Sequence, residues 1–548
     1  MHFRASVRAS GFVNKRSVLA LKFRHFSTTS AACRGRLSER NGKESSRYTA
    51  FAIETSCDDT SVAVIDVHTI ASADDAVNIR NSSTHLVRDS DLEGRTGYAV
   101  DVVFHEKVTA NNEAFTGIHP LVALESHRSN LAPVLKRAWD ALKENKREEG
   151  LCPQVEFVAA TRGPGMRSNL AVGLDTAKGM ATALGVPLLG VHHMQAHALT
   201  PRLLKAQGNW KALRENLGYE DDEDAGCARP LKTTRDDAPE GKFDLEPKFP
   251  FLTVLVSGGH TMLLNSTSLT EHKNVAESQD IAIGDFLDKA ARCILPQDLL
   301  KAPYGRALEE FAFQTNVHEI EDQTEVYEVD PSRGQHFTKE FIRPLHSPSY
   351  DYTPPARRQD ELETRVSEWG WGLTPPLSES KGGEKSSRRM VYSFAGLLTS
   401  IERLVKRPEP LFTLRERQFL AREVQRVAFE HLASRILLYL DSSSTFAGDT
   451  IVVSGGVASN SYLRHVLRSI LDARGHEHMK LCFPPIELCT DNALMIAWAG
   501  VEMYEAGYSS ELSVGPIRKW SMDPSAADGG ILGATGWISE GEKIEEEK

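Results

Sequence analysis

Three times along this chain, an apolar run of strand length ends in a glycine-bearing turn with helix-forming sequence beyond it. Val155 to Ala160 leads into Thr161-Arg162-Gly163-Pro164-Gly165, and Phe251 to Val256 leads into Ser257-Gly258-Gly259-His260-Thr261. Thr450 to Val453 leads into Ser454-Gly455-Gly456-Val457-Ala458-Ser459-Asn460. Short runs bounded by turn formers read as strands. Repeated strand–turn–helix units predict α/β architecture. A chain of 548 residues is also too long for one core. Duplicated lobes with a ligand cleft between them are therefore expected. Glycine at a strand end lets backbone amides approach an anion, and helix N-termini favour phosphate, so the turns also predict a nucleotide between the lobes.

Further elements fit that frame. Thr49 to Ile53 and Ser61 to Ile65 read as strands around a turn at Ser56 to Thr60. Apolar residues at Leu131, Val134, Leu135, Ala138 and Leu142 predict a helix over about 125–144. The expected organisation is a presequence and linker over 1–47, an N-terminal lobe over 48–204 and an acidic insertion over 205–248. The C-terminal lobe would follow over 249–319 and 391–504, split by a low-order insertion over 320–390. Residues 505–548 would return to the N-terminal lobe and end in an acidic tail. Both insertions are polar and weakly periodic, which predicts loops. No run of about eighteen apolar residues occurs, so no membrane insertion is expected. Seven cysteines without paired spacing suggest reduced thiols. Cys57, beside Asp58 and Asp59, is placed to be a poor thiolate.

The first 38 residues carry eight Arg or Lys and no acid, with many Ser and Thr, which is the composition of an organellar presequence. The stretch Arg24 to Ser30 adds a mitochondrial two-step cleavage pattern, with trimming expected near Cys33. Removing residues 1–33 takes away six basic groups and moves the formal net charge from −11 to −17. A nucleic-acid surface on so acidic a protein must be a local patch. Arg162, Arg167, Lys406, Arg407, Arg464 and Arg468 are candidates, with Lys381 to Arg389 in the second insertion.

The segment Val191-His192-His193-Met194-Gln195-Ala196-His197 puts His193 and His197 on one face of a helix, where two imidazoles can grip one ion. Asp491, in Cys489-Thr490-Asp491-Asn492, is a third ligand candidate of a type that suits zinc or iron. The rival reading is that Thr490 or Asp491 caps the helix starting at Ala493, and spacing alone leaves both open. Asp288, followed by Lys289, either accepts ribose hydroxyls or lies on a solvated helix face.

Six ordered motifs then resemble one family. They are Ile53 to Thr60, Val191 to His197, Leu255 to Thr261, Ser393-Phe394-Ala395-Gly396-Leu397, Ser454 to Asn460, and Cys489 to Asn492. They are similar to the TsaD family of tRNA threonylcarbamoyladenosine (t6A) synthases, from about residue 49 to Asp523. The resemblance implies a two-lobed actin-like, Hsp70-like (ASKHA) fold with the active site in the cleft. It implies transfer of a threonylcarbamoyl group from its adenylate to N6 of the adenosine 3′ to the anticodon, releasing AMP. By motif position, His193, His197 and Asp491 would hold one divalent ion per subunit, zinc, iron or magnesium. Leu255, Val256, Ser257, Gly258, Gly259, Asp288, Gly305 and Asn460 would contact the adenylate, and Asp58 would be the catalytic candidate. With the presequence, the expectation is a mitochondrial matrix enzyme acting on ANN-decoding tRNA. It would be a homodimer, supplied with adenylate by a separate synthase.

Departures from the family pattern are specific. Asp59 and Asp285 stand where the family usually has Glu. Gln195 and Ala196 replace Glu and Gly between the two histidines, and Tyr304 occupies a position that is commonly Gly. A metallopeptidase of the zincin type needs Glu directly after its first His, and Met194 holds that place. An ATP-dependent phosphotransferase or ATPase of the same superfamily is a second alternative, because glycine turns alone are compatible with it. A non-catalytic scaffold that binds nucleotide and a partner is a third, disfavoured because a degenerate paralogue would be expected to lose some of the ligand set.

Overall fold

The computed structural model describes residues 46–70, 97–112, 115, 117–216, 244–313, 350–378, 386–407, 413–442 and 446–539. The presequence, most of the first insertion, residues 320–349 and the end of the acidic tail lie outside these. Two sheets carry the fold. The first contains β1 (Ser46–Glu54), β2 (Asp59–Ile70), β3 (Gly97–Thr109), β4 (Phe157–Gly163), β5 (Leu188–His192), β12 (Tyr508–Ser510) and β13 (Trp537–Ser539). The second contains β6 (Phe251–Val256), β7 (Thr261–Ser266), β8 (His272–Ser278), β9 (Val391–Tyr392), β10 (Thr450–Ser454) and β11 (Lys480–Cys482).

Their orders are β13-β12-β5-β4-β1-β2-β3 and β11-β10-β6-β7-β8-β9. In each, an antiparallel three-strand meander (β1–β3, β6–β8) is extended by parallel strands beside its first member, β4 and β5 or β10 and β11. One topology is thus used twice, which is the two-lobed α/β plan. The central strands are wholly buried: all seven residues of β4, six of β6 and five of β10. Near-continuous apolar runs are what strands covered on both faces require.

The main helices are α1 (Pro120–Glu148), α2 (Arg167–Leu184), α3 (His193–Asn216), α4 (Ile283–Ile294), α5 (Tyr304–Phe313), α6 (Ala395–Val405), α7 (Leu414–Ser442), α8 (Ser461–Ala473) and α9 (Ala493–Glu505). Helix α1 is longer at both ends than its apolar spacing predicts. It opens on Pro120, whose fixed φ suits a first turn that needs no N–H bond there. Helix α2 stops at Gly185, which takes the left-handed conformation at φ 68°.

Three expected boundaries are corrected by packing. Helix α3 runs past residue 205 to Asn216 with Ala206 fully buried, so the first insertion begins later. Residues 350–378 are irregular but not loosely attached. Trp371 and Leu373 join the second-lobe core, and Trp371 Nε1 donates to Glu416 at 2.8 Å. Helix α9, expected within the C-terminal lobe, packs mainly on β1 and β2 of the first sheet. With α3, which touches β3, β6 and β10, it forms the layer between the lobes. The core cluster there joins Ala50 and Ala63 of one sheet to Leu255 and Val452 of the other.

Candidate metal centre and adenylate cleft

That shared layer carries the two histidines. His193 follows β5 directly and opens α3, and His192 shapes the junction. The His192 Nδ1 accepts the N–H groups of Met194 at 3.2 Å and Gln195 at 3.4 Å, doing the work of an N-cap. Its Nε2 donates to the Trp520 carbonyl at 3.2 Å, and burial lowers it to about 3, so it stays neutral. One turn on, His197 lies against His193 with ring centroids 4.8 Å apart.

Asp491 reaches the pair from the other lobe. Its Oδ1 lies 3.3 Å from His193 Nε2 and 3.2 Å from His197 Nε2. The rival capping role falls to its neighbour: the Asn492 side chain accepts the Met495 N–H at 3.0 Å. The Asp491 carboxylate is thereby left to the histidines. Three ligand atoms from His193, His197 and Asp491 lie within 4.8 Å of one another, largely buried. Atoms bound to one ion at about 2.0–2.2 Å sit roughly 3.0–3.5 Å apart, so the Asp491–His separations fit such a site.

The outer nitrogens are held as metal-binding imidazoles usually are. His193 Nδ1 lies 3.2 Å from Glu54 Oε2, and His197 Nδ1 lies 3.5 Å from Ser454 Oγ. Glu54, fully buried at the end of β1, also accepts from the Ser56 N–H and the Thr161 hydroxyl. Burial opposes charge on His193, yet Asp491 and Glu54 outweigh it and raise that imidazole to about 10. Against its own burial, the Asp491 carboxyl is held well below the usual range by the His193 charge. Burial keeps His197 below its ordinary value despite the Asp491 hydrogen bond. Without an ion, a proton on His193 therefore balances the trio. Glu54 and Ser454 were within the quoted motifs but unassigned; an acid inside an otherwise apolar strand was the available signal.

Asp58 sits in the turn after β1. Burial, then the Asp491 charge, raises its carboxyl, and its Oδ2 accepts from Asn112 Nδ2 at 3.1 Å. Asp59 is pushed up to about 6 by burial, against Lys107 and Thr109. Its oxygens are engaged by both, with Lys107 Nζ at 3.3 Å. Lys107 also donates to Thr490 at 2.7 Å, tying β3 to the Asp491 loop.

The adenylate candidates gather at the ends of β6 and β10. Leu255 and Val256 are buried, whereas Gly258 and Gly259 are exposed. Ser257 Oγ accepts the His260 N–H at 3.0 Å. Gly455, at φ +101°, lies so close to β6 that a Cβ there would come within 2.4 Å of the Val256 carbonyl. A Cβ on Gly284, in the first turn of α4, would come within 2.6 Å of the Ser257 carbonyl. The two glycine turns and the α4 N-terminus thus adjoin. Asp288 and Gly305 also meet, with the Gly305 N–H donating to Asp288 Oδ1 at 3.1 Å. Asn460 caps α8 through Leu463 N–H at 2.8 Å and donates to Gln425 at 3.0 Å, so its side chain is partly committed.

The basic candidates fare differently. Arg162 and Arg468 are buried on backbone carbonyls. Arg464 is bound to the Ala458 carbonyl at 3.1 Å and Arg407 to Glu416. Of the six, Arg167 and Lys406 are exposed.

A family model described as TsaD, tRNA N6-adenosine threonylcarbamoyltransferase, matches residues 102–211, 236–330 and 364–498. The chain is 32% identical over 501 residues to the mitochondrial tRNA N6-adenosine threonylcarbamoyltransferase of Schizosaccharomyces pombe, covering 90% of each. It is 28% identical over 492 residues to the mitochondrial enzyme of that name from Danio rerio, covering 86% of this chain and 88% of that one. The Sinorhizobium medicae enzyme of the same name is 28% identical over 482 residues, covering 87% and 96%.

Proposed function

The chain belongs to the TsaD family of tRNA N6-adenosine threonylcarbamoyltransferases, and we propose that it makes t6A on mitochondrial tRNAs that read ANN codons. The acyl donor is L-threonylcarbamoyladenylate, the acceptor is N6 of the adenosine 3′ to the anticodon, and AMP leaves. The observation that carries this reading is the buried His193–His197–Asp491 trio beside two glycine turns at parallel strand ends.

The donor arrives activated, so no protein nucleophile is required. The N6 lone pair forms the new C–N bond, the carbonyl carbon–phosphate oxygen bond breaks, and AMP takes that electron pair. Asp58 is the group assigned to accept the N6 proton. Its raised carboxyl is a stronger base than an exposed one, and Asn112 engages Oδ2. Asp59 has its oxygens occupied by Lys107 and Thr109 and is the poorer choice. The Gly258 amide and the Gly455-Gly456 turn approach the phosphate, and Asp288 with Gly305 meets the ribose. The Ser257 N–H is given to the His260 carbonyl at 2.9 Å and the Gly259 N–H to Ser257 Oγ at 3.3 Å. Holding donor and acceptor together contributes roughly 7–11 kcal/mol in well-oriented systems. His193, His197 and Asp491 would hold a divalent ion, which when bound supplies charge stabilisation at substrate oxygens.

The remaining assignments follow the family: a homodimer in the mitochondrial matrix, with the adenylate made by a separate synthase. No described helix is long and apolar enough to cross a membrane. The test incubates protein starting near residue 34 with threonylcarbamoyladenylate and an ANN-decoding tRNA transcript, scored by nucleoside mass spectrometry. Wild type is expected to form t6A, and a His193→Ala/His197→Ala variant to lose most of it. Phosphate release from ATP without t6A would replace this reading with phosphoryl transfer.

A further inference from the structure

The segment after β3 carries an exposed phenyl ring, Phe115, packed on the half-buried His119 ring and tied to the reaction centre. Asn112 donates to Asp58 Oδ2 at 3.1 Å while its Oδ1 accepts the His119 N–H at 3.0 Å. The Phe115 N–H donates to the Asn112 carbonyl at 2.9 Å. These bonds set the Phe115 and His119 rings together, with centroids 4.3 Å apart and planes at 34°. Phe115 is 47% exposed, and Ile118 and Leu121 beside it are 49% and 70% exposed. Across the cleft, a Cβ on Gly117 would lie 4.0 Å from a guanidinium nitrogen of Arg292, on the helix that carries Asp288.

One exposed apolar residue means little. Here three lie within seven positions, on a segment anchored through Asn112 to the group assigned to take the acceptor's proton, and Gly117 among them faces Arg292 of the adenylate lobe. The substrate under the reading above is an RNA whose acceptor base must leave its stack, which unstacks its neighbours too. Unpaired bases are held by stacking on aromatic rings, whatever their identity. Of the six basic candidates near the motifs, four are buried or paired and Arg167 and Lys406 are exposed, so stacking on the rings supplements a thin set of backbone contacts among the described residues. The acceptor itself must sit at Asp58, and the ring pair, joined to Asp58 through Asn112, is the aromatic surface beside it for a neighbouring base. We propose that Phe115 and His119 form a stacking platform for an unpaired nucleobase flanking the acceptor adenosine, a proposal that rests on the tRNA-modifying reading.

The test uses an anticodon stem-loop RNA with 2-aminopurine at the position flanking the acceptor, with full-length mature protein and its Phe115→Ala and Phe115→Tyr variants. Phe115 is exposed, so thermal melts of the variants should match wild type. Stacking predicts that wild type and Phe115→Tyr quench the fluorophore and Phe115→Ala does not. In turnover, Phe115→Ala should raise the KM for RNA roughly 5- to 150-fold and leave the KM for threonylcarbamoyladenylate unchanged. Unchanged quenching and RNA KM in Phe115→Ala, or an equal rise in both KM values, would overturn the platform. Absence of t6A from wild type would instead overturn the reading beneath it, while the quenching comparison still decides whether the rings hold a base.

Discussion

Glu54 is the residue whose chemistry was hardest to see and whose effect is easiest to measure. It touches no substrate in this scheme; it fixes His193 through Nδ1 at 3.2 Å. Removing such an outer partner typically weakens metal binding 10- to 100-fold. Glu54→Gln should therefore weaken affinity by about that factor while keeping the fold, as read by competition with a metal indicator. The same imidazole sets a pH dependence. With His193 raised to about 10, an ion must displace its proton, so wild-type affinity should climb roughly tenfold per pH unit between pH 7 and 9. The stability sign is opposite. A folded value above the unfolded one, near 6.5, makes a contribution that is complete below 6.5 and lost as pH rises through about 10. Metal-free protein should therefore melt lower at pH 9 than at pH 7. An affinity independent of pH would mean His193 is already neutral without the ion.

At the scale of elements, strands with continuous apolar runs were legible and helices without a clean period were not. The span Phe251–Val256 coincides with β6 because six buried residues leave only one interpretation. Helix α7 was not anticipated: seventeen of its residues are buried, among them Arg426, Glu430 and Arg435, so no apolar stripe stands out. Strand β3 was not anticipated although Val102-Val103-Phe104 gives it an apolar run, and most of its residues are only partly covered. The proximity of His193 and His197 was legible because they share a helix, whereas Glu54 and Ser454 meet them through tertiary placement. The capping reading of Asp491 was settled only by tertiary structure, in which Asn492 is the cap. The glycine turns carry a prediction of their own. A Cβ at Gly284 meets backbone atoms of Ser257 and Gly258 within 2.6–2.7 Å, so Gly284→Ala must push the turn outward. Its KM for threonylcarbamoyladenylate should rise at least several-fold, with metal content unchanged. An unaltered KM would show that this turn does not meet the donor.

On the scale of the molecule, the His193–His197–Asp491 trio joins segments that leave two different sheets. His193 and His197 begin α3, which grows directly from β5 of the first sheet. Asp491 lies between β11 of the second sheet and α9, and His197 also meets Ser454 at the end of β10. An ion held there would tie both lobes through the two helices between them, and its binding energy would add to the stability of the closed arrangement. At a free metal concentration of about 100 times Kd, that linkage is worth about 2.7 kcal/mol. For a protein this large, the equivalent rise in melting temperature is a few degrees. Chelation should therefore lower the melting temperature by a few degrees and speed amide exchange at the start of α3 and of α9 together. The His193→Ala/His197→Ala variant should show no response to chelator. If exchange rose at α3 alone, Asp491 would not be part of the cross-link, and the ion would belong to one lobe rather than to the cleft.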